Sequence, residues 1–281
     1  MKVGLVLEGG AMRGMYTCGI MDTMLENNIE VDAIVGVSAG ALFGVNYVSK
    51  QIGRGIRYTK KFAADKRYMS ARNFIKDGNF IGTEFAYITV PQTLDVFDYE
   101  AYRQSPVKFY AVVTNIETGK AEYKLLEDVD SQIHTLRASG SMPFLSTPVE
   151  LDGQKYLDGG IADSIPFQWM AQQGYDKIIV ILTRSADYRK KSMVKPLVKA
   201  FYGRKYPNLV KSLNERHNVY NRSTELLTHW EEAGRAFVIR PTEPVDIGRT
   251  ETDPDKLQAV YELGLADGKK YIDDLKKYLS E

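Results

Sequence analysis

The chain reads as a three-layer α/β/α protein with a largely parallel central sheet. Three observations predict this class. Short, near-continuous apolar runs (Val3-Gly4-Leu5-Val6-Leu7, Ala33-Ile34-Val35-Gly36-Val37, Lys177 to Thr183) have the composition of strands buried on both faces. Stretches such as Met15 to Leu25 carry apolar residues at helical spacing. Strand and helix alternate from the first residues, as in a parallel sheet covered on both sides.

In order, Val3 to Leu7 is the first strand, too short for a signal-peptide core, and Met15 to Leu25 the first helix. Ala33 to Val37 and Ala39 to Val48 repeat the pair. Residues 51–105, rich in Tyr, Phe, Arg and Lys, read as helical and loop material capping the sheet. Val107 to Asn115 is a strand that Ala121 to Leu125 pairs with across Glu117-Thr118-Gly119-Lys120. Ser131 to Ser139 reads as a helix, and Pro143 stops any continuation. Asp152-Gly153 signals a hairpin between Val149–Leu151 and Gln154–Leu157. Pro166 opens a helix to about Gln173. Lys177 to Thr183 and Ala236 to Arg240 are further strands. Leu257 to Leu279 closes the chain as an amphipathic helix, with Gly264 and Gly268 as close-packing points. We expect a main domain over 1–240 and a helical extension, 241–281, packed on it.

Composition narrows the function classes. Lys plus Arg number 37 against 36 for Asp plus Glu, so the balance points neither to nucleic acid nor to an acidic partner. A single cysteine, Cys18, forbids an intrachain disulfide and reads as a small core residue, consistent with a reducing cytoplasm. One cysteine and three scattered histidines make no metal site, although carboxylate sites stay open. No apolar stretch approaches the roughly 18 residues of a membrane span.

Two glycine-rich junctions carry the chemistry. Gly36-Val37-Ser38-Ala39-Gly40 is a G-x-S-x-G turn between a strand and a helix, where small neighbours let the backbone bend and present a serine hydroxyl. Glu8-Gly9-Gly10-Ala11-Met12-Arg13-Gly14 lies between the first strand and helix, where backbone N–H groups form an anion nest. That nest suits a phosphate or the oxyanion of an acyl-transfer intermediate. The phosphate reading implies a nucleotide- or phosphate-binding protein. It is weakened because Ala11 replaces the second glycine of a dinucleotide fingerprint, and Asp32 precedes the second strand instead of following it. The oxyanion reading needs a nucleophile, and Ser38 opens at the same sheet edge. It also needs a base. His134 lies in a helix-like stretch and His217 and His229 in the polar stretch 212–235, so none is well placed. Asp158, ending a strand before Gly159-Gly160, projects toward the same crevice. Asp163 lies past the glycines and reads as the cap of the helix at Pro166.

Taken together, Gly9-Gly10-Ala11-Met12-Arg13-Gly14, Gly36-Val37-Ser38-Ala39-Gly40, Ala138-Ser139-Gly140-Ser141-Met142-Pro143 and Asp158-Gly159-Gly160 resemble the patatin-like phospholipase family over about residues 3–185. The tail is similar to the C-terminal extension of some bacterial members. The resemblance implies that Ser38 is a nucleophile and Asp158 its partner in a dyad, with Gly9, Gly10 and Ala11 as the oxyanion hole. Gly36 and Gly40 would shape the elbow; Arg13, Gly14, Gly159 and Gly160 would support it. Ala11 departs from the family's three consecutive glycines, and is strained if its φ is positive. Arg13 either orients a phosphate headgroup or braces its loop, the second being favoured.

The implied activity is hydrolysis of a fatty-acyl ester, phospholipid or lysophospholipid, with a small-ester or thioester hydrolase as the alternative. No cofactor or metal is expected. Aspartate is a weaker base than histidine by about 2.6 pK units, a gap burial can close. We therefore expect Asp158 to be desolvated, with few hydrogen bonds beyond Ser38. Residues 184–211 carry Arg184, Arg189, Lys190, Lys191, Lys195, Lys199, Arg204, Lys205 and Lys211, opposed only by Asp187. Met193, Val194, Leu197, Val198, Phe201 and Tyr202 are interleaved. Such a stretch suits either peripheral contact with an anionic membrane surface, here the inner face from the cytoplasm, or a helix packed on the core.

Overall fold

The structure, a computed structural model, describes residues 1–192 and 195–281, with only the backbone of Lys195; Met193 and Val194 lie outside the described residues. The chain begins with β1 (Val3–Leu7), α1 (Gly14–Glu26), β2 (Ala33–Val37), α2 (Ala39–Val48), α3 (Arg54–Phe62) and α4 (Ala71–Asp77). A π-helical segment, Phe85–Leu94, precedes α5 (Tyr99–Gln104), β3 (Lys108–Asn115), β4 (Ala121–Leu126) and α6 (Ile133–Ser139). Then come β5 (Val149–Leu151), β6 (Gln154–Asp158), α7 (Phe167–Gln172), β7 (Lys177–Ile181) and α8 (Lys195–Tyr202). The chain closes with α9 (Pro207–Glu232), β8 (Phe237–Ile239) and α10 (Pro254–Ser280).

The sheet runs β5-β6-β3-β2-β1-β7-β8, with β4 also on β3. The pairs β3–β2, β2–β1, β1–β7 and β7–β8 are parallel, and β4, β5 and β6 supply the antiparallel part. Alternation along β1 builds the three layers. Leu5 and Leu7 pack with α1, α2, α3 and α10, whereas Val6 packs with α7 and α9 on the other face. All three are fully buried, each contributing about 1.5–3 kcal/mol of burial.

Register along β3 positions the site. On one edge Lys108 to Val112 pair with Ala33 to Val37, while Phe109 to Thr114 pair with β4 on the opposite edge. Val113 to Asn115 also pair with β6, so β6 continues along the β2 edge. The C-terminal ends of β2 and β6 therefore meet head to head.

The last helix is integral to the packing. It crosses α1 so closely that a Cβ on Gly264 would lie 2.3 Å from the Tyr16 carbonyl oxygen. Tyr16 donates to Asp267 (3.2 Å) and Tyr261 to Asp22 (2.7 Å), stitching the two helices reciprocally.

Two sequence readings need correction. The polar stretch 212–235, assigned no element, lies in the 26-residue α9 as far as Glu232. Asp163 does not cap α7, whose N-cap is Pro166; it accepts from the Tyr123 hydroxyl (2.7 Å) and the Ile165 N–H (3.2 Å).

Candidate active site

Ser38 occupies the turn from β2 into α2 with φ +54° and ψ −120°. Holding a non-glycine residue there costs on the order of 1–3 kcal/mol. Its flanks admit no side chain: a Cβ on Gly36 would lie 2.7 Å from the Ala41 nitrogen, and one on Gly40 2.5 Å from the Leu7 carbonyl oxygen. The positive end of the α2 dipole faces the serine.

The Ser38 hydroxyl donates to Asp158 Oδ2 at 2.6 Å. Both are buried, with 8% and 4% of their surface exposed. Asp158 Oδ1 accepts the Gly160 N–H at 2.8 Å. Burial pushes the Asp158 carboxyl above the ordinary carboxylate value, against the opposing pull of Arg216, the Ser38 and Gly160 hydrogen bonds, and Lys190.

The Ala138–Pro143 segment fixes both partners. The Ser139 hydroxyl accepts the Ser38 N–H (2.9 Å) and donates to the Val112 carbonyl (2.7 Å). The Asp158 N–H donates to the Ser141 carbonyl (2.8 Å). Sequence reasoning singles out this segment but gives neither Ser139 nor Ser141 a role of its own.

The first glycine loop lies against this pair. A Cβ on Gly9 would fall 3.0 Å from the Ser38 Cβ, and one on Gly10 2.7 Å from the Thr183 hydroxyl. Ala11 takes φ +49°, the left-handed region, which costs an alanine about 1–2 kcal/mol. Among the described residues, no acceptor takes the N–H of Gly10 or Ala11. Gly14 abuts Phe43, and Gly159 packs on the Val112 carbonyl. Glu8 anchors the loop from below: it accepts from the Tyr220 hydroxyl (2.7 Å) and the Thr183 N–H (2.6 Å). Sequence reasoning missed Glu8 and Tyr220, whose partnership spans elements far apart in the chain.

Two cavities meet at Ser38 and Ala11. One is apolar and runs between α2, α3, the π-helical segment and α6, lined by Leu42, Phe43, Tyr58, Val90 and Leu136 among others. The other is polar and cationic, and holds Asp158, Arg13, Arg184, Lys190, Arg216 and His217. Arg216 Nε donates to the Gly160 carbonyl. Lys190 sits 3.8 Å above the Tyr220 ring, and burial together with Arg216 pushes its ammonium well below the usual lysine value. Arg184 and Lys190 thus turn inward, whereas Lys199, Arg204, Lys205 and Lys211 are exposed. Among the described residues no histidine bonds Ser38; His134 and His229 are exposed.

A family model described as patatin-like phospholipase matches residues 5–170, and one described as a domain of unknown function (DUF6363) matches residues 206–280. The uncharacterized protein YjjU of Escherichia coli (strain K12) is 25% identical over all of this chain and 80% of its own length. Lysophospholipase nte1 of Aspergillus niger is 27% identical over 98% of this chain, and lysophospholipase NTE1 of Candida albicans 26% over 97%. The chain spans only 18% and 20% of those two fungal proteins. The crystal structure of VipD from Legionella pneumophila superposes with a TM-score of 0.50 at 13% identity, covering 97% of this chain and 67% of that one, a likeness of fold. The chain belongs to the patatin-like phospholipase family.

Proposed function

We propose that this protein is a serine lipid acyl hydrolase acting through a Ser38–Asp158 dyad. The observation that carries the reading is the 2.6 Å bond from Ser38 Oγ to a desolvated carboxylate, at the junction of an apolar and a cationic cavity. The apolar cavity takes the acyl chain and the cationic one the headgroup. Ser38 Oγ attacks the ester carbonyl while Asp158 takes its proton; the leaving alcohol departs with that proton. The Gly10 and Ala11 N–H groups, which find no acceptor among the described residues, hold the oxyanion beside Gly9. Asp158 then takes a proton from water as it attacks the acyl-enzyme carbonyl, and passes that proton to Ser38 Oγ as the acyl–oxygen bond breaks, releasing the fatty acid and restoring the dyad.

Arg13 serves the cationic cavity as well as its loop. Residues 1–240 form the catalytic unit in this reading, with 241–281 as an extension whose α10 buttresses α1. The exposed Leu197 and Phe201, with Lys199, Arg204 and Lys205 nearby in sequence, form the face that touches an anionic membrane surface. Among the described residues no helix is long and apolar enough to cross a membrane.

Fatty-acid release from a lysophospholipid tests the reading. The wild type is expected to turn over, and Ser38→Ala to lose turnover together with labelling by a fluorophosphonate. Turnover that survives Ser38→Ala contradicts it.

A further inference from the structure

We propose that Arg13, Arg184, Lys190, Arg216 and Arg249 form a receptor for a phosphate-bearing headgroup of net negative charge. The preferred substrate is then an anionic acyl ester rather than a zwitterionic or uncharged one. This inference rests on the acyl-hydrolase reading above and names its substrate class.

The cavity's charges do not balance within the protein. Its acidic side chains are Glu8 and Asp158, and both are engaged: Glu8 by Tyr220 and Thr183, Asp158 by Ser38 and Gly160. Facing them are the five cations, together with Arg189 and Lys191. The Arg189 guanidinium is held by the Ala186 and Tyr188 carbonyls. Among the described residues, none of the five forms an ion pair with a carboxylate. The buried Nε atoms of Arg13 and Arg184 find no acceptor among the described residues. Uncompensated buried donors and charges are costly unless a ligand satisfies them.

Three of the cations are nevertheless held in place. Lys190 is pinned through its backbone, which exchanges bonds with the Asn221 side chain at 2.8 and 3.2 Å, and its ammonium rests on Tyr220. Arg184 stacks 4.3 Å from the Tyr188 ring centroid, and Arg216 grips Gly160. Such fixed donors suit a planar-fork or point-charge grip on phosphate oxygens. The apolar cavity offers no such site of its own: its Arg54 is consumed by Asn46 and Asp95, and its Arg249 lies where it joins the cationic cavity. Four of the five cations lie beyond residue 170, and Arg216 and Arg249 lie within 206–280. The structure therefore assigns a task to that segment of unknown function: it supplies part of the headgroup wall.

The test compares kcat/KM for three esters of one acyl chain: 1-acylglycerol 3-phosphate, the corresponding lysophosphatidylcholine and the 1-monoacylglycerol. The anionic ester is expected to be preferred by roughly tenfold or more over each of the others. Lys190→Met and Arg184→Met are each expected to lower that preference by roughly tenfold, chiefly through KM, with Lys190→Arg restoring part of it. A defect of folding or of the dyad lowers all three rates together and leaves the preference intact, so a preference unmoved in both variants overturns the inference. Equal rates on the three esters in the wild type overturn it too, while sparing the acyl-hydrolase reading. Inorganic phosphate is the second probe: competition by it without any preference among the lipids marks a site for free phosphate and overturns the headgroup assignment. Absence of hydrolysis on all three overturns the acyl-hydrolase reading, and this inference with it.

Discussion

Val37 and Asp158 stand end to end on one edge of β3, Val37 paired with Val112 and Asp158 with the next residue, Val113. A parallel strand and an antiparallel strand thus run toward each other and stop one residue apart. The residue after Val37 is Ser38, so the serine and the carboxylate are brought together by strand register. Ser139 sits at the same point and fixes Ser38 to Val112. A side-chain pair separated by 120 positions in sequence is thereby held by backbone geometry.

The first prediction concerns the cost of the buried carboxyl. Its value is raised in the folded protein, so stability from this group is greatest at low pH and is lost as pH rises through the folded value. Asp158→Asn removes that ionisation. It is expected to raise the melting temperature near pH 8, with the gain shrinking as pH falls from the raised folded value toward the ordinary carboxylate value and vanishing below it. Turnover falls on the order of 100- to 10,000-fold. Thermal melts across pH, with parallel assays, check both.

A second prediction concerns Ala11. Its φ of +49° favours glycine, and the replacement keeps the N–H. Relief of strain outweighs the added chain entropy, giving Ala11→Gly a net stabilisation of up to about 1 kcal/mol with activity retained. Urea denaturation measures the gain; a loss of stability runs against the account.

Arg216 sets the third. In the proposed mechanism the dyad works with Asp158 ionised, so activity is expected to be lost as pH falls through the carboxyl's value. Arg216 is the foremost group pulling that value down. Arg216→Met therefore moves the acid limb of the kcat profile to higher pH, and Lys190→Met moves it in the same direction by less. A shift toward lower pH is inconsistent with the electrostatics described.

The fourth tests the extension. A methyl group at position 264 meets the Tyr16 carbonyl and the Gly19 backbone. Gly264→Ala is expected to destabilise the whole protein by about 1–3 kcal/mol, seen as one shifted transition in urea. A separate early transition for α10 contradicts its place in the common core.

Much of the fold was legible because its central strands are continuous apolar runs and its turns carry glycine. The site was legible in part for the same reason: Gly36 and Gly40 are needed wherever such a bend occurs. The long α9 was not, because its buried side shows only Leu209, Leu213, Tyr220 and Leu227 within 26 residues. Arg216, His217 and Tyr220 face a polar cavity, and residues of that kind erase the apolar period that marks a helix. Lys190 and Arg184 read as surface charge for a related reason. Sequence shows a charge but not the cavity that receives it.

The rate and position of fluorophosphonate labelling test the dyad most directly. Peptide mapping of the wild type is expected to show one adduct, on Ser38. Replacing His134, His217 and His229 together by Gln should leave the adduct forming, while Asp158→Asn should slow it on the order of 100-fold or more. Labelling that survives Asp158→Asn but vanishes in the triple histidine variant contradicts the Ser38–Asp158 account.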